Sequence, residues 1–230
     1  MYYLEDKDLG VIFVRVDVRA KQFIARKREG RIILTVPEDT TEKELRTALE
    51  KMKPGLLQLE SVEREIIDEN FVLKTLSFEV KVVRCNFSRC YAQMQNSVLQ
   101  IAVPENVSIG DEVVQAEVRG AIERAMQREA RRILPSWVRQ LALEHGFAFA
   151  EVKISKSRTR WGSCSSQKNI SLSCFCLLLP SQLIELVILH ELCHTLELNH
   201  SARFWNHLDR ITGGKAKELT RKLKEFHTSF

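Results

Sequence analysis

Short runs in which apolar and polar residues alternate fill the first half of the chain, and prolines end several of them. The first run places one set of residues on a single face: Ile12, Val14, Val16 and Val18. Alternation with a period of two predicts β-strands that bury one face. A second run follows a turn at 28–30 and ends at Pro37, and the polar residues after it lead into a segment with helical spacing. That spacing predicts a helix that stops at Pro54.

The same order of elements recurs farther along the chain. Residues 71–83 and 98–103 are strand-like, and Val-Pro-Glu-Asn-Val-Ser at 103–108 resembles Val-Pro-Glu-Asp-Thr-Thr at 36–41. In both places a strand ends, a turn with proline and an acidic residue follows, and a helix begins. The pattern indicates either an internal duplication of a strand–turn–helix unit or independent use of the same turn chemistry.

A long amphipathic segment follows. Between residues 110 and 146 apolar side chains recur every three to four positions, which predicts a helix that Pro135 kinks or splits. Glutamates interleave with the arginines of the opposite face, which are Arg119, Arg124, Arg128, Arg131 and Arg132. We interpret this face as solvated and laced with ion pairs, with a nucleic-acid contact surface as the alternative.

Two further strand-like runs, 151–156 and 169–175, flank a loop of small residues. We predict that they form a β-hairpin and that 169–175 lies at or near the edge of its sheet. An exposed edge strand can pair with an extended peptide through main-chain hydrogen bonds.

The clearest chemical signal is His190-Glu191-x-x-His194 within an apolar run. Residues four apart share a helical face, so both imidazoles can bind one metal ion and Glu191 lies beside it. Zinc suits such a site because it accepts imidazole and can keep one coordination position open. We predict His200 as the third ligand, because Asn199 can end the helix and turn the chain back towards the metal.

Other candidates surround these ligands. Glu197 shares the ligand face and could orient a ligand histidine as a hydrogen-bond acceptor, or replace His200 as a ligand. Arg158, Arg160 and His207 are candidate donors to a substrate oxyanion. For the two arginines a structural clamp is an equally good interpretation.

Three segments carry a resemblance to a known family: Arg-Thr-Arg-Trp-Gly-Ser-Cys-Ser-Ser at 158–166, His-Glu-Leu-Cys-His at 190–194, and Asn-His-Ser-x-x-Phe-Trp at 199–205. Together they resemble the bacterial YgjP-like metallopeptidases, which are zincins related to SprT-type proteases. The resemblance implies that the three histidines bind zinc and that Glu191 is catalytic. The chain departs from the family pattern after Ser166, where Gln167 and Lys168 replace the expected glycine turn.

These patterns predict an α+β chain in two parts. Residues 1–108 form a β-rich N-terminal region built from strand–turn–helix units. Residues 109–230 form a zincin-like metallopeptidase domain with long helices, a β-hairpin and the helix that carries the metal ligands.

Composition narrows the class of protein. No run approaches 18 apolar residues, the charged start lacks the apolar core of a signal peptide, and the six cysteines show no scaffold spacing. We therefore expect a cytoplasmic protein with free thiols and no membrane partner. The net charge of +5 permits an acidic partner such as nucleic acid without requiring one.

The predicted function is zinc-dependent hydrolysis of peptide bonds in a protein or peptide substrate, with Glu191 as general base. One alternative is a metal-dependent hydrolase of a nucleotide phosphoanhydride, in which Lys156, Arg158 and Arg160 hold phosphates. Another is a DNA-associated, SprT-like protease. A purely structural zinc site is the weakest option, because three histidines leave a coordination position open.

Overall fold

The computed structural model describes residues 2–28, 31–58 and 65–230. These residues separate into two compact units, Met1–Glu65 and Ile66–Phe230. Both contain strands and helices, as predicted. No helix in the described part of the chain is long and apolar enough to cross a membrane.

The first unit is a four-stranded sheet followed by a helix. Its elements are β1 (Tyr2–Asp6), β2 (Gly10–Val16), β3 (Ile24–Arg28), β4 (Arg31–Val36) and α1 (Glu42–Gln58). The strand order is β1-β2-β4-β3, with β2 and β4 parallel and the outer strands antiparallel to them. One face of the sheet and α1 bury an apolar core: Ile12, Val14, Ile32, Leu34, Val36, Leu45, Leu49 and Leu56.

For one strand and one helix of this unit, the predicted C-terminal end was wrong. Strand β2 stops at Val16, so Val16 and Val18 are exposed rather than on the buried face. Helix α1 continues beyond Pro54. Leu56, on the far side of that proline, is buried in the core, and this packing offsets the backbone hydrogen bond that proline lacks. The turn predicted at 28–30 falls partly outside the described residues.

The second unit begins with a sheet of the same topology. Its strands are β5 (Leu73–Lys74), β6 (Glu79–Cys85), β7 (Tyr91–Gln95) and β8 (Val98–Pro104), in the order β5-β6-β8-β7. The two inner strands are again parallel and the outer ones antiparallel to them. A helix again follows the last strand. The repeated sequence pattern therefore corresponds to a repeated topology, which favours internal duplication.

Helix α2 (Glu112–His145) is continuous and contains Pro135, so the proline does not split it. Asp111 caps its first turn by accepting hydrogen bonds from the backbone N–H groups of Val113 and Val114. Gly146 ends it in the left-handed conformation, with φ of 73°.

The predicted boundary between residues 108 and 109 lies inside the second unit. The sheet β5–β8 and helix α2 share one apolar core, to which Val82, Ile101, Ile122 and Met126 all contribute. Separating them would expose the apolar faces of both. The assignment of residues 109–230 as a zincin-like metallopeptidase domain stays a prediction.

The remaining elements carry the candidate site. They are β9 (Glu151–Ser155), β10 (Gly162–Cys164), β11 (Asn169–Ser173), a 3₁₀ helix (Cys174–Leu178), α3 (Ser181–Cys193), α4 (Ala202–Ile211) and α5 (Ala216–Leu223). The strand order is β10-β11-β9, with β10 and β11 forming an antiparallel hairpin and β9 parallel to β11.

The predicted hairpin of 151–156 with 169–175 was wrong, because β9 and β11 run parallel and the hairpin pairs β10 with β11. The strand at 169–173 also lies next to the edge rather than at it. Residues 169–173 form the central strand, and β10 lies at the edge next to it. Strand β11 buries Ile170, Leu172 and Ser173 and needs a neighbour on each side to satisfy its main chain. The short loop strand at 162–164 supplies the second neighbour.

Candidate metal centre

Helix α3 positions the first two candidate ligands. It begins after Pro180 and ends at Cys193, well before the predicted end near Asn199. His194 nevertheless keeps right-handed helical angles, and its backbone N–H donates to the His190 carbonyl oxygen at 3.2 Å. The two imidazoles therefore stay one helical turn apart. The chain turns away directly afterwards, with the Leu196 N–H donating to the Cys193 carbonyl.

The three predicted histidines converge. The Nε2 atom of His190 lies 3.2 Å from that of His194 and 3.1 Å from that of His200. Their ligand atoms all lie within 4.8 Å of one another. Four-coordinate tetrahedral binding, with metal–nitrogen distances of about 2.05 Å, separates two ligand nitrogens by about 3.3 Å. The cluster therefore fits a single divalent ion bound by three imidazoles.

A backbone carbonyl orients one of these rings. His194 Nδ1 lies 2.9 Å from the carbonyl oxygen of Glu197. With Nδ1–H donating to that oxygen, Nε2 carries a free lone pair directed at the cluster. Glu197 thus contributes through its main chain, while its carboxylate lies 3.8 Å from Arg203. Its side chain is not among the converging groups.

Phe204, at the start of α4, packs against all three imidazoles. Its ring centroid lies 4.5 Å from that of His194 and 4.8 Å from those of His190 and His200. Ser201 caps α4 by accepting a hydrogen bond from the Phe204 N–H. Phe204 is fully buried. Phe204 therefore supports the cluster from one side.

Burial keeps two of the ligands neutral. Burial, with a smaller contribution from the neighbouring His194 and His200, lowers the pKa of His190 to about 4. Burial also lowers the pKa of His194. Neutral imidazole is the form that binds metal, so binding of a metal ion at pH 7 requires no loss of protons from these two rings.

Glu191 lies beside the cluster and is only 5% exposed. No hydrogen-bond partner for its Oε2 exists among the described residues. Burial raises the pKa of this carboxyl to about 8, and the charge of Arg160 opposes the increase. A buried carboxyl without a partner is costly, which is typical of a group retained for chemistry.

The edge strand β10 packs directly on this carboxyl. A Cβ atom built on Gly162 would lie 2.6 Å from Glu191 Oε1 and 2.7 Å from its Cγ. Only glycine fits at this position without moving the carboxyl. Gly162 was not among the predicted site residues, although it is the single glycine in a loop of small side chains.

A comparison with protein families agrees with a metal site at these residues. A family model described as YgjP-like, metallopeptidase domain matches residues 21–226. The chain belongs to the YgjP-like family. This match confirms the resemblance found in the three sequence segments. The family is one of metallopeptidases, and this chain has a cluster of three histidines that could hold a metal ion.

Other comparisons add little about this YgjP-like chain. One solved structure that it resembles is the crystal structure of the metallopeptidase zymogen of Pyrococcus abyssi abylysin. The two are 20% identical, the match covers 40% of this chain and 93% of that one, and the TM-score is 0.37. A comparison with curated proteins gives no match.

The two candidate arginines of the YgjP-like chain have different environments. Arg158 pairs with Glu123, donates to the Thr228 carbonyl at 2.6 Å, and stacks over the rings of Phe175 and Phe230. Arg158 is therefore a structural clamp, which was one of the two roles suggested for it by the sequence. Arg160 is exposed and makes no hydrogen bond or ion pair within the described part of the chain. His207, half-buried on α4, is not among the converging ligands.

Proposed function

We propose that this chain is a zinc-dependent peptidase that hydrolyses peptide bonds with Glu191 as general base. The observation that carries the proposal is the convergence of three imidazoles, together with the buried Glu191 next to His190, whose Oε2 has no hydrogen-bond partner among the described residues. A structural metal site has no use for such a carboxyl, whereas hydrolysis needs a group that takes up and returns a proton.

His190, His194 and His200 would hold the ion. Zinc is the metal we propose, because three neutral imidazoles with one open coordination position are typical of catalytic zinc sites. When bound, zinc lowers the pKa of coordinated water and polarises the carbonyl of the scissile bond.

Glu191 performs the proton transfers in this proposal. Its carboxylate accepts a proton from the attacking water and passes it to the nitrogen of the departing amine. Without a bound metal ion, burial raises the pKa of Glu191 to about 8 despite the opposing charge of Arg160. The positive charge of a bound ion favours the ionised form. The group can therefore begin as a base and still return its proton.

Strand β10 provides a place for the substrate backbone. It is the edge of its sheet, and Gly162 within it touches the Glu191 carboxyl. An extended peptide that pairs with the free edge of β10 would run past Glu191. The proposed partner is therefore a protein or peptide in extended conformation. Six free cysteines support a reducing compartment, and we place the enzyme in the cytoplasm.

The alternatives receive less support from the site. A phosphate-binding role needs several free cations, but Arg158 is occupied by Glu123 and the Thr228 carbonyl. On the arginine-rich face of α2, Arg132 pairs with Glu129 at 2.7 Å, as expected for a solvated face. Nucleotide hydrolysis and a DNA-associated, SprT-like role have no specific observation in their favour.

The decisive experiment compares peptide hydrolysis by the zinc-loaded wild type and by Glu191→Gln. We expect the variant to keep its zinc and to lose about 10²- to 10⁴-fold in rate. Glu44→Gln is the matched control, because Glu44 belongs to the cap of α1 and glutamine preserves that role. Full activity in Glu191→Gln, or hydrolysis that survives complete removal of metal, contradicts the proposal.

A further inference from the structure

A cleft lies next to the start of β10, the edge strand. It has a volume of about 380 Å³ and lies between residues 158–161 and 226–229. Its lining consists of Arg158, Thr159, Arg160, Trp161, Phe226, His227, Thr228 and Ser229. Arg160 precedes Gly162 by two residues, so the cleft begins within about 7 Å of backbone that touches Glu191.

Hydrogen bonds fix both walls of this cleft. Arg158 donates to the Thr228 carbonyl at 2.6 Å, and the Thr228 hydroxyl donates to the Arg158 carbonyl at 2.9 Å. The Trp161 carbonyl accepts from the Ser173 N–H at 2.7 Å. The cleft is therefore formed before any ligand arrives, which reduces the entropy that binding costs.

The ionisable side chains that line the cleft are all basic. It contains two arginines, a histidine and three hydroxyl groups, and it contains no acidic side chain. Arg158 is neutralised by Glu123. Arg160 is exposed and has no hydrogen bond or ion pair with any described residue, although its charge acts on the Glu191 carboxyl. Its guanidinium can therefore still form hydrogen bonds with a ligand. A guanidinium binds a carboxylate through two parallel hydrogen bonds, with a stronger preference than for any neutral group.

We propose that this cleft is a substrate subsite in which Arg160 binds a carboxylate of the peptide being cleaved. The inference rests on the proposed peptidase function and adds a specificity to it. The side chains of Trp161 and Phe226 offer apolar contact to the alkyl part of the same substrate residue. The carboxylate can belong to an acidic side chain or to the C-terminus of a short peptide, since both present the same group.

The test uses the zinc-loaded full chain and sets of peptides that differ at one position. A cleaved peptide is varied to glutamate, glutamine or lysine at each position near the scissile bond, and it is also made with an amidated C-terminus. We expect one position at which glutamate is preferred over glutamine by about ten- to a hundred-fold in kcat/KM. Loss of cleavage on amidation alone assigns the subsite to the C-terminal carboxylate instead.

Variants of Arg160 then identify the binding group. Arg160→Gln should remove the preference by slowing cleavage of the acidic peptide more than that of the neutral one, since its effect on the Glu191 carboxyl is common to both peptides. Arg160→Glu should reverse the preference in favour of lysine, a result that a merely structural role for Arg160 cannot give. Arg139→Gln is the matched control, because Arg139 is an exposed arginine on α2 and does not line the cleft. An unchanged preference in both Arg160 variants overturns the proposal.

A binding measurement separates this proposal from the peptidase function. Glu191→Gln, loaded with zinc, is titrated against fluorescent forms of the same peptides, and anisotropy reports the affinity. A preference for the acidic peptide that depends on Arg160 supports the subsite even if the wild type cleaves none of them. Cleavage with no charge preference at any position overturns the subsite and leaves the peptidase function standing.

Discussion

The two four-stranded sheets have the same topology but different surroundings. Their inner parallel pairs bury equivalent residues: Ile12 with Ile32 and Val14 with Leu34 in the first, Val80 with Leu99 and Val82 with Ile101 in the second. The first sheet and α1 close an apolar core of their own. The core of the second sheet and α2 extends into the apolar side of α3, the helix that presents His190.

The difference between the two cores is chemical as well as topological. Among the described residues, the buried polar side chains all lie in the second unit: Gln127, Ser173, Glu191, His194 and Thr195. Burying polar groups costs free energy unless they are paired, so an apolar core is the more economical way to hold a sheet and helix together. The same sheet-and-helix unit therefore closes an apolar core in one part of the chain and supports the candidate metal centre in the other.

We expect the two units to differ most when one glycine in each is replaced by alanine. Gly162→Ala should lower peptidase activity by about ten- to a hundred-fold, because the new Cβ would displace the Glu191 carboxyl, and small misplacements of catalytic groups are expensive. Zinc content should not change. Gly55→Ala in α1 is the counterpart in the first unit. It has open space around the new Cβ and should stabilise the helix by about 0.5–1 kcal/mol.

Steady-state kinetics, zinc analysis and urea unfolding measure these effects. Wild-type activity in Gly162→Ala would show that the contact between β10 and Glu191 does not position the carboxyl.

Core truncations should show how far the units are independent. Leu34 in the first core and Leu134 in the second are both fully buried, and alanine at either position should cost about 2–5 kcal/mol. All three tryptophans, Trp137, Trp161 and Trp205, belong to the second unit. Leu134→Ala should therefore lower the urea midpoint measured by tryptophan fluorescence, and added zinc should raise that midpoint again.

Leu34→Ala is the matched variant. It should leave the fluorescence midpoint unchanged and lower only part of the unfolding followed by circular dichroism. Equal shifts of the fluorescence midpoint in both variants would show that the two units unfold as one.

The last prediction concerns the pH dependence of the free energy of unfolding in the metal-free protein. The pKa of Glu191 is raised from an ordinary value of 4.5 to about 8 in the folded state, so the folded chain holds an extra proton between these values. Stability from this group is present below pH 4.5 and is lost as pH rises towards 8. Glu191→Gln removes that loss. Its stability advantage over the wild type should grow by on the order of 3 kcal/mol from pH 5 to pH 8.

Chemical unfolding at several pH values, with chelator present, measures this difference. Glu144→Gln, which removes an exposed carboxylate of α2, is the control. An advantage of Glu191→Gln that does not vary with pH would contradict the raised pKa.

Local periodicity accounts for what the sequence predicted well. The alternating runs gave the inner strands, the three-to-four spacing gave α2, and the four-residue spacing gave His190 and His194 as neighbours. Each of these features depends on residues within a few turns of chain. The position of His200 also followed, because a short turn is enough to bring it back to the other two histidines.

The features that the sequence did not predict depend on distant segments. Arg158 is engaged by a carbonyl 70 residues away, which no local pattern shows. The edge position of β10 follows from the parallel pairing of β9 with β11. The need for glycine at 162 follows from the packing of β10 against Glu191, about 30 residues farther along the chain. Helix ends were also misjudged, because tertiary packing carries α1 past Pro54.

Metal analysis of three purified proteins tests the central claim most directly. The wild type, His200→Ala and Glu197→Ala would be loaded with zinc, dialysed and measured for zinc per chain. We expect about one zinc ion in the wild type and in Glu197→Ala, because Glu197 acts through its backbone carbonyl, and little zinc in His200→Ala. Zinc kept by His200→Ala and lost by Glu197→Ala would contradict the three-histidine site.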